Sequence, residues 1–81
     1  MDVKDCVRGE TIVLIDKGRV RFFDVLWKNR CSVWLCEVRA RLSKDGKTLY
    51  PWETISGNFM KKNLKAYEKY DKTKIYKHQT F

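Results

Sequence analysis

Residues 32–42 read SVWLCEVRARL, and this stretch decides the fold. Its side chains alternate between two faces: one carries Trp34, Cys36, Val38, Ala40 and Leu42, and the other carries Val33, Leu35, Glu37, Arg39 and Arg41. A period of two residues is typical of a β-strand with one buried and one more polar face. We therefore predict a strand here, with the first set of side chains facing the core.

The residues after this strand predict an antiparallel hairpin. Asp45-Gly46 is the residue pair that a two-residue turn with positive φ angles favours. With that turn, three pairs face one another: Leu42 with Leu49, Arg41 with Tyr50, and Arg39 with Trp52. Pro51 lacks a backbone donor, which predicts that the second strand lies at an edge or ends near residue 52.

The residues before it predict two more strands. Residues 12–15 are Ile-Val-Leu-Ile, and Lys17-Gly18 follows as a tight turn. Between residues 19 and 27 the apolar residues change face, which predicts a β-bulge at Phe22-Phe23. With this bulge and a turn at Asn29-Arg30, the predicted pairs are Val25 with Trp34, Phe23 with Cys36, Arg21 with Glu37, and Arg19 with Arg39.

The last third of the chain has a helical period. At 100° per residue, one side of a helix over residues 56–71 would carry Phe59, Met60, Leu64, Ala66, Tyr67 and Tyr70. The other side would carry Lys61, Lys62, Lys65, Lys69 and Lys72. Ser56 or Asn58 is suited to cap its first turn. Residues 72–81 would form a basic tail or a short edge strand.

These elements predict one α+β domain over residues 1–81. An N-terminal segment (1–8) precedes an antiparallel sheet (10–52), and the C-terminal amphipathic helix (56–71) packs on that sheet. The sheet would be bent, with four or five strands, and would resemble a small barrel of the SH3-like or OB-like kind. The apolar fraction of 43% is high enough for such a chain to fold.

The charge balance predicts a polyanionic or acidic partner. Eighteen Lys and Arg face ten Asp and Glu, which gives a net charge of +8. The predicted pairing collects six residues around Glu37 on one sheet face: Arg19, Arg21, Arg39, Arg41, Tyr50 and Trp52. Exposed rings stack on bases and guanidinium groups bind phosphates, so this face predicts non-enzymatic binding of RNA or single-stranded DNA. The helix lysines Lys61, Lys62, Lys65 and Lys69 would extend the phosphate track.

Other interpretations of the same residues remain open. The arginine and aromatic pairs also suit ordinary cross-strand packing, and the lysines suit a solvated helix face. A second functional class is a small regulator or inhibitor that docks on an acidic protein or a nucleoprotein, because Trp, Tyr and Arg are also protein hot spots. Compact basic chains of this kind are typical of virus-encoded proteins that act on host machinery. Finally, Leu26, Val33 and Leu35 predict an apolar patch that a homodimer would bury.

An enzyme, a cofactor and a metal site are not predicted. His78 is the only histidine, and Cys31 and Cys36 lack the second ligand pair of a zinc site. The odd number of cysteines, three, and the lack of a signal-like N-terminus favour the cytoplasm. The longest apolar run is far shorter than the roughly 20 residues that cross a bilayer, so a membrane span is not expected. Binding of the amphipathic helix to a membrane surface is not expected either, because its apolar side is needed to cover the sheet.

Overall fold

The chain folds into one antiparallel β-sheet. The structure is a computed structural model and describes residues 1–79, apart from the side chain of Ser56. Five strands follow a short 3-10 turn at Val3–Asp5, and they are β1 (Thr11–Asp16), β2 (Arg19–Lys28), β3 (Val33–Leu42), β4 (Leu49–Lys61) and β5 (Tyr67–Lys69). Their order in the sheet is β4-β3-β2-β1-β5. The described strands thus form an open sheet, with β4 and β5 at its edges.

Two of the predicted turns lie where the sequence places them. Lys17 and Gly18 have φ angles of 51° and 78°, the signature of a two-residue turn that matches strand twist. At the second turn only Gly46 has a positive φ, 72°, and its N–H donates to the Ser43 carbonyl at 2.9 Å. This turn is therefore longer than predicted. The predicted pairs of Leu42 with Leu49 and of Arg41 with Tyr50 are nevertheless confirmed.

The predicted C-terminal helix is wrong, and with it the α+β class. No α-helix occurs in the part of the chain that the structure describes. Residues 56–71 are instead the second half of β4, a connecting loop and β5. Phe59 pairs with Leu35 on β3, and Tyr67 pairs with Leu14 on β1. Ser56-Gly57, predicted to begin the helix, belongs to a bulge in β4, because Asn58 pairs with Cys36 and Thr54 with Val38.

Both faces of the sheet bury apolar side chains, in two separate clusters. The first cluster includes Ile12, Phe23, Val25, Val33, Leu35, Leu64 and Tyr67, and is covered by Val3 and Cys6. The second includes Val13, Val20, Phe22, Val38, Leu49 and Tyr76. Neighbouring residues in a strand point to opposite faces, so consecutive residues such as Phe22 and Phe23 enter different clusters.

This two-sided burial corrects the predicted register of β2 and β3. The change of face at Phe22-Phe23 needs no bulge, because each phenylalanine has its own cluster. The bulge lies instead between Val25 and Trp27, so Trp27 pairs with Trp34. Consequently the predicted pairs of Val25 with Trp34 and of Phe23 with Cys36 are wrong: Val25 pairs with Leu35, and Phe23 with Glu37.

The chain itself covers the patch predicted as a dimer contact. Val33 and Leu35 are completely buried in the first cluster. Leu64 and Tyr67 of the C-terminal third pack in the same cluster, together with the N-terminal turn. Val33 and Leu35 are therefore not available as a dimer contact, and Leu26, the third residue of the predicted patch, is half-buried.

Residues 72–79 of the predicted C-terminal segment form neither a loose tail nor a strand, and residues 80 and 81 lie outside the described part of the chain. The Tyr76 carbonyl accepts a hydrogen bond from the Leu49 N–H at 2.6 Å, and the Gln79 N–H donates to the Gly18 carbonyl at 2.7 Å. The segment thus connects the start of β4 with the turn that precedes β2. Within residues 1–79, no helix is long and apolar enough to cross a membrane.

Candidate nucleic-acid interface

Strands β2 and β3 separate at one end and form a fork. Their pairing ends at Phe22 and Val38, whereas the pairing of β3 with β4 continues to Leu42 and Leu49. The end of the β3–β4 hairpin is therefore a two-stranded arm. Most of the predicted binding residues lie on this arm or in the fork beside it.

Three predicted residues meet on the arm, and we call them the Arg41 cluster: Arg41, Tyr50 and Trp52. The Arg41 guanidinium lies 4.5 Å from the centre of the Trp52 ring, which is a cation–π contact. The Tyr50 and Trp52 rings meet edge to face, with their centres 6.1 Å apart. Trp52 remains 52% exposed. The cluster thus presents an accessible indole beside a cation.

A bulge brings Trp52 to this position and corrects one predicted pair. Arg39 pairs with Glu53 and Ala40 with Pro51, so Trp52 falls at the irregularity between them. The predicted pairing of Arg39 with Trp52 is therefore wrong. Arg39 instead makes an exposed ion pair with Glu53, at 3.6 Å. Proline cannot donate a ladder hydrogen bond, which explains why the strand is irregular at residue 51.

The other three predicted arginines surround an open cavity of about 280 Å³ in the fork. Arg19, Arg21 and Arg39 line it together with Glu37 and His78. The predicted direct pairing of Arg19 with Arg39 does not form, because the strands have separated before they reach these residues. The fork cavity nevertheless holds three guanidinium groups against one carboxylate, which suits a bound anion.

Arg21 is the one arginine of the fork cavity that is strongly neutralised. Its Nε and Nη2 donate to the two carboxylate oxygens of Glu37, each at 2.8 Å. The two residues thus form a bidentate ion pair, although the predicted direct pairing is wrong, because Phe23 lies opposite Glu37 in the register. The hydrogen bond from Arg21 holds the pKa of Glu37 below its usual range, and the same bond raises the pKa of Arg21.

We expect Glu37→Gln to lower the free energy of unfolding by about 1 to 2 kcal/mol at pH 7, because Arg21 loses a charged acceptor. Since the folded-state pKa of Glu37 is lowered, its ionised carboxylate stabilises the fold above the ordinary glutamate pKa of about 4.3. That stability is lost as the pH falls through the lowered pKa. Urea unfolding of both proteins at pH 7 and in acid measures the difference. A difference that persists undiminished in strong acid would contradict this origin.

His78 connects the C-terminal segment to the fork cavity. The Val20 N–H donates to His78 Nδ1 at 3.1 Å, so the neutral ring carries its proton on Nε2. The imidazole takes the place that a β3 carbonyl would occupy if the strands had stayed paired. The ring therefore bonds to β2 at the fork and lines the cavity at the same time.

The four predicted lysines do not form one track with the arginines. Lys61 ends β4, eleven residues from Tyr50, and a strand rise of about 3.3 Å per residue would separate them by roughly 35 Å. Lys62 and Lys65 are exposed in the loop that follows. Lys69 lies on β5 and pairs with Glu10 at 3.3 Å. The predicted helical lysine arc is wrong because the helix is absent from the described chain.

Sequence reasoning missed a second exposed aromatic group. We call Trp27, Trp34 and Met60 the tryptophan patch, because the register places them side by side on β2, β3 and β4. Trp34 was predicted to face the core, but its ring stacks on Trp27, which is 48% exposed. The predicted two-residue turn at Asn29-Arg30 was too short, because Lys28 pairs with Val33. The signal for the longer turn was Asn29. Its side-chain oxygen accepts from the N–H groups of Cys31 and Ser32, and this tight turn brings the two tryptophans opposite one another.

Among the described side chains, no group of three or more His, Cys, Asp or Glu residues could hold a metal ion.

The chain was also compared with known proteins. No protein-family model, no curated protein and no solved structure matches it.

Proposed function

We propose that the protein binds single-stranded nucleic acid, without catalysis, across the Arg41 cluster and the fork cavity. The observation that carries this proposal is the exposed Trp52 ring with the Arg41 guanidinium 4.5 Å above it. Stacking of a base on an aromatic side chain contributes about 1 to 3 kcal/mol and tolerates any base. Arg41 is placed to contact the adjoining phosphate while Trp52 holds the base.

The fork cavity supplies the second contact. Arg19 and Arg39 are exposed and line it, while Arg21 is held by Glu37. A phosphate between Arg19 and Arg39 would meet two guanidinium groups, each able to donate two parallel hydrogen bonds. The backbone would then run from the cavity along the arm to Trp52. This path uses five of the ten predicted residues, namely Arg19, Arg39, Arg41, Tyr50 and Trp52.

The test is the affinity of Trp52→Ala for fluorescein-labelled oligo(dT) and oligo(rU). We expect binding about tenfold weaker than that of the unchanged protein, because one stacked base is lost. Trp27→Ala is the matched control, since Trp27 is similarly exposed but lies in the tryptophan patch. It should leave the affinity unchanged.

Circular dichroism establishes that both variants are folded. Equal affinity of Trp52→Ala and the unchanged protein would remove the Arg41 cluster as the interface. If the unchanged protein binds neither oligonucleotide, the proposed nucleic-acid binding is wrong. The ratio of the oligo(dT) and oligo(rU) affinities shows whether the protein prefers DNA or RNA.

We also place the protein in the cytoplasm. Cys6, Cys31 and Cys36 are free thiols, and Cys6 and Cys36 are buried. Burial raises the pKa of Cys6, which keeps this thiol protonated at neutral pH. A reducing compartment suits a chain with an exposed free thiol at Cys31. Fluorescence microscopy of the tagged full chain tests this placement.

A further inference from the structure

The fork cavity ends against the protein core. Val20 and Val38 line it, and both side chains are buried in the second cluster together with Tyr76. His78 lines it as well and is bonded to the Val20 N–H. At about 280 Å³ the cavity is no larger than the smallest ligand pockets of proteins. An internal nucleotide would need room for two chain segments at its opening, whereas the end of a strand needs room for one.

The positive charge that lines the cavity exceeds the negative charge of an internal phosphate. Three guanidinium groups line it, those of Arg19, Arg21 and Arg39. Glu37 contributes one carboxylate, so the lining carries an excess of two positive charges. An internal phosphate is a diester with a single negative charge and two free oxygens. A phosphate monoester carries about −1.5 to −2 charges near pH 7 and has three free oxygens, so it matches the cavity more closely.

Two of the three guanidinium groups are available to such a phosphate. Arg19 is exposed and takes part in no ion pair within residues 1–79. Arg39 pairs with Glu53 at 3.6 Å, but both side chains are exposed, and exposed ion pairs are weak. Each guanidinium donates two parallel N–H bonds, so the pair of them satisfies the three free oxygens of a monoester.

The Arg41 cluster lies one step further along the same strand. Arg39 and Arg41 are two residues apart on β3, about 7 Å at the rise of a strand, and their side chains share a face. The Arg41 guanidinium lies 4.5 Å from the centre of the Trp52 ring. A nucleic-acid strand whose terminal phosphate sits between Arg19 and Arg39 therefore brings a base near that end to the Trp52 ring.

We infer that the protein recognises the phosphorylated end of a single strand, with the terminal phosphate monoester in the fork cavity and a nearby base on Trp52. This inference rests on the proposed nucleic-acid binding and adds which part of the strand the cavity selects. A terminal hydroxyl offers the cavity neither the charge nor the oxygens. A 5′-phosphate and a 3′-phosphate have the same chemistry, so the experiment compares both ends.

The experiment measures the fluorescence anisotropy of matched oligo(dT) strands with the full chain. One pair carries fluorescein at the 3′ end and either a phosphate or a hydroxyl at the 5′ end, and the second pair is reversed. We expect the phosphorylated strand of one pair to bind about tenfold more tightly than its hydroxyl form, which corresponds to about 1.4 kcal/mol. A hydroxyl-ended strand longer by one nucleotide adds its phosphate as a diester and should bind like the shorter one. The pair with the larger ratio identifies the end.

Substitutions assign this preference to the cavity. Arg39→Ala should reduce the ratio of the two affinities to below about threefold, because one guanidinium of the phosphate contact is lost. Lys62→Ala is the matched control, since it removes the same charge at the opposite end of β4 and should keep the ratio. Trp52→Ala should weaken both strands of a pair equally, because stacking does not depend on the terminal phosphate. Circular dichroism checks that all three variants are folded.

The outcomes separate this inference from the proposed function. Equal affinity for phosphate-ended and hydroxyl-ended strands would overturn the inference and leave the proposed binding in place. A preference that Arg39→Ala retains as fully as Lys62→Ala would place the terminal phosphate outside the cavity and would also overturn it. If the unchanged protein binds none of the strands, both the inference and the proposed function are wrong.

Discussion

Replacing Tyr76 with alanine is expected to lower the free energy of unfolding by about 3 to 5 kcal/mol, the usual loss for a buried aromatic side chain. Tyr76 is only 2% exposed, and its ring packs against Phe22 and Tyr70 with centres 5.8 Å and 5.6 Å apart. Its hydroxyl accepts the Asp71 N–H at 3.1 Å. A domain of this size has a total stability of about 4 to 12 kcal/mol, so the variant loses a large share.

Urea unfolding monitored by circular dichroism measures this loss of stability. Two further variants show whether it comes from the Tyr76 ring, from its hydroxyl or from the segment in general. Ile75→Ala is the matched control, because the neighbouring side chain is 62% exposed and should change the stability by less than about 0.5 kcal/mol. Tyr76→Phe keeps the ring and loses the hydroxyl, and should cost about 1 kcal/mol. A Tyr76→Ala protein as stable as the Ile75→Ala protein would mean that the C-terminal segment is not part of the core.

The position of Tyr76 also connects the core to the binding site. His78 and Gln79 follow it directly and hydrogen-bond to Val20 and Gly18 at the fork. If the Tyr76 ring no longer anchors the segment, these two bonds lose their support. The same substitution should therefore weaken nucleic-acid binding at the fork cavity, even where the rest of the sheet remains folded.

The features that were predictable from the sequence depend on contacts close in the chain. The alternation of residues 32–42 predicts β3 because a strand repeats every two residues wherever its partners lie. Lys17-Gly18 predicts its turn because a tight turn needs positive φ, which few residue pairs adopt. The contact of Arg21 with Glu37 was also predictable, although the details of the register between their strands were not.

The false helix shows why the C-terminal third was not predictable in the same way. Phe59 and Tyr67 enter the same core cluster from two different strands, and their spacing of eight residues happens to suit a helical period. Contacts with Leu35 and Leu14, which are distant in sequence, decide their conformation. Tertiary packing of this kind overrides local propensity, and one sequence does not reveal it.

Apolar side chains are buried on both faces of the sheet, and because this was not predicted, part of the candidate site was not predicted either. A bulge at Phe22-Phe23 was predicted because one buried face was assumed, whereas the C-terminal segment covers the other face through Tyr76. The true bulge lies between Val25 and Trp27, and it moves Trp27 into register with Trp34. The pairing of Arg41 with Tyr50 was nevertheless predictable, because it lies within a few residues of the turn, whereas the bulge that brings Trp52 to Arg41 was not predicted.

Binding of oligo(dT) should weaken roughly 20-fold when the salt concentration rises from about 50 to about 200 mM. Each phosphate neutralised on a single strand contributes about −0.7 to the slope of log affinity against log salt. Three exposed arginines of the site, Arg19, Arg39 and Arg41, can reach phosphates. Arg39 exchanges its exposed ion pair with Glu53 for a phosphate, whereas Arg21 is held by Glu37 in a bidentate pair. Three contacts predict a slope of about −2. Titrations at several salt concentrations measure it.

Single substitutions then assign the slope to particular residues. Arg39→Ala and Arg41→Ala should each make the slope less steep by about 0.7, because one phosphate contact is lost. Lys62→Ala removes the same charge at the opposite end of β4 and should leave the slope unchanged if phosphates contact only the fork and the arm. An equal change for the lysine and arginine variants would instead mean that the whole basic surface attracts the strand without a defined path. A slope near zero would contradict phosphate binding, since counterion release accompanies every such contact.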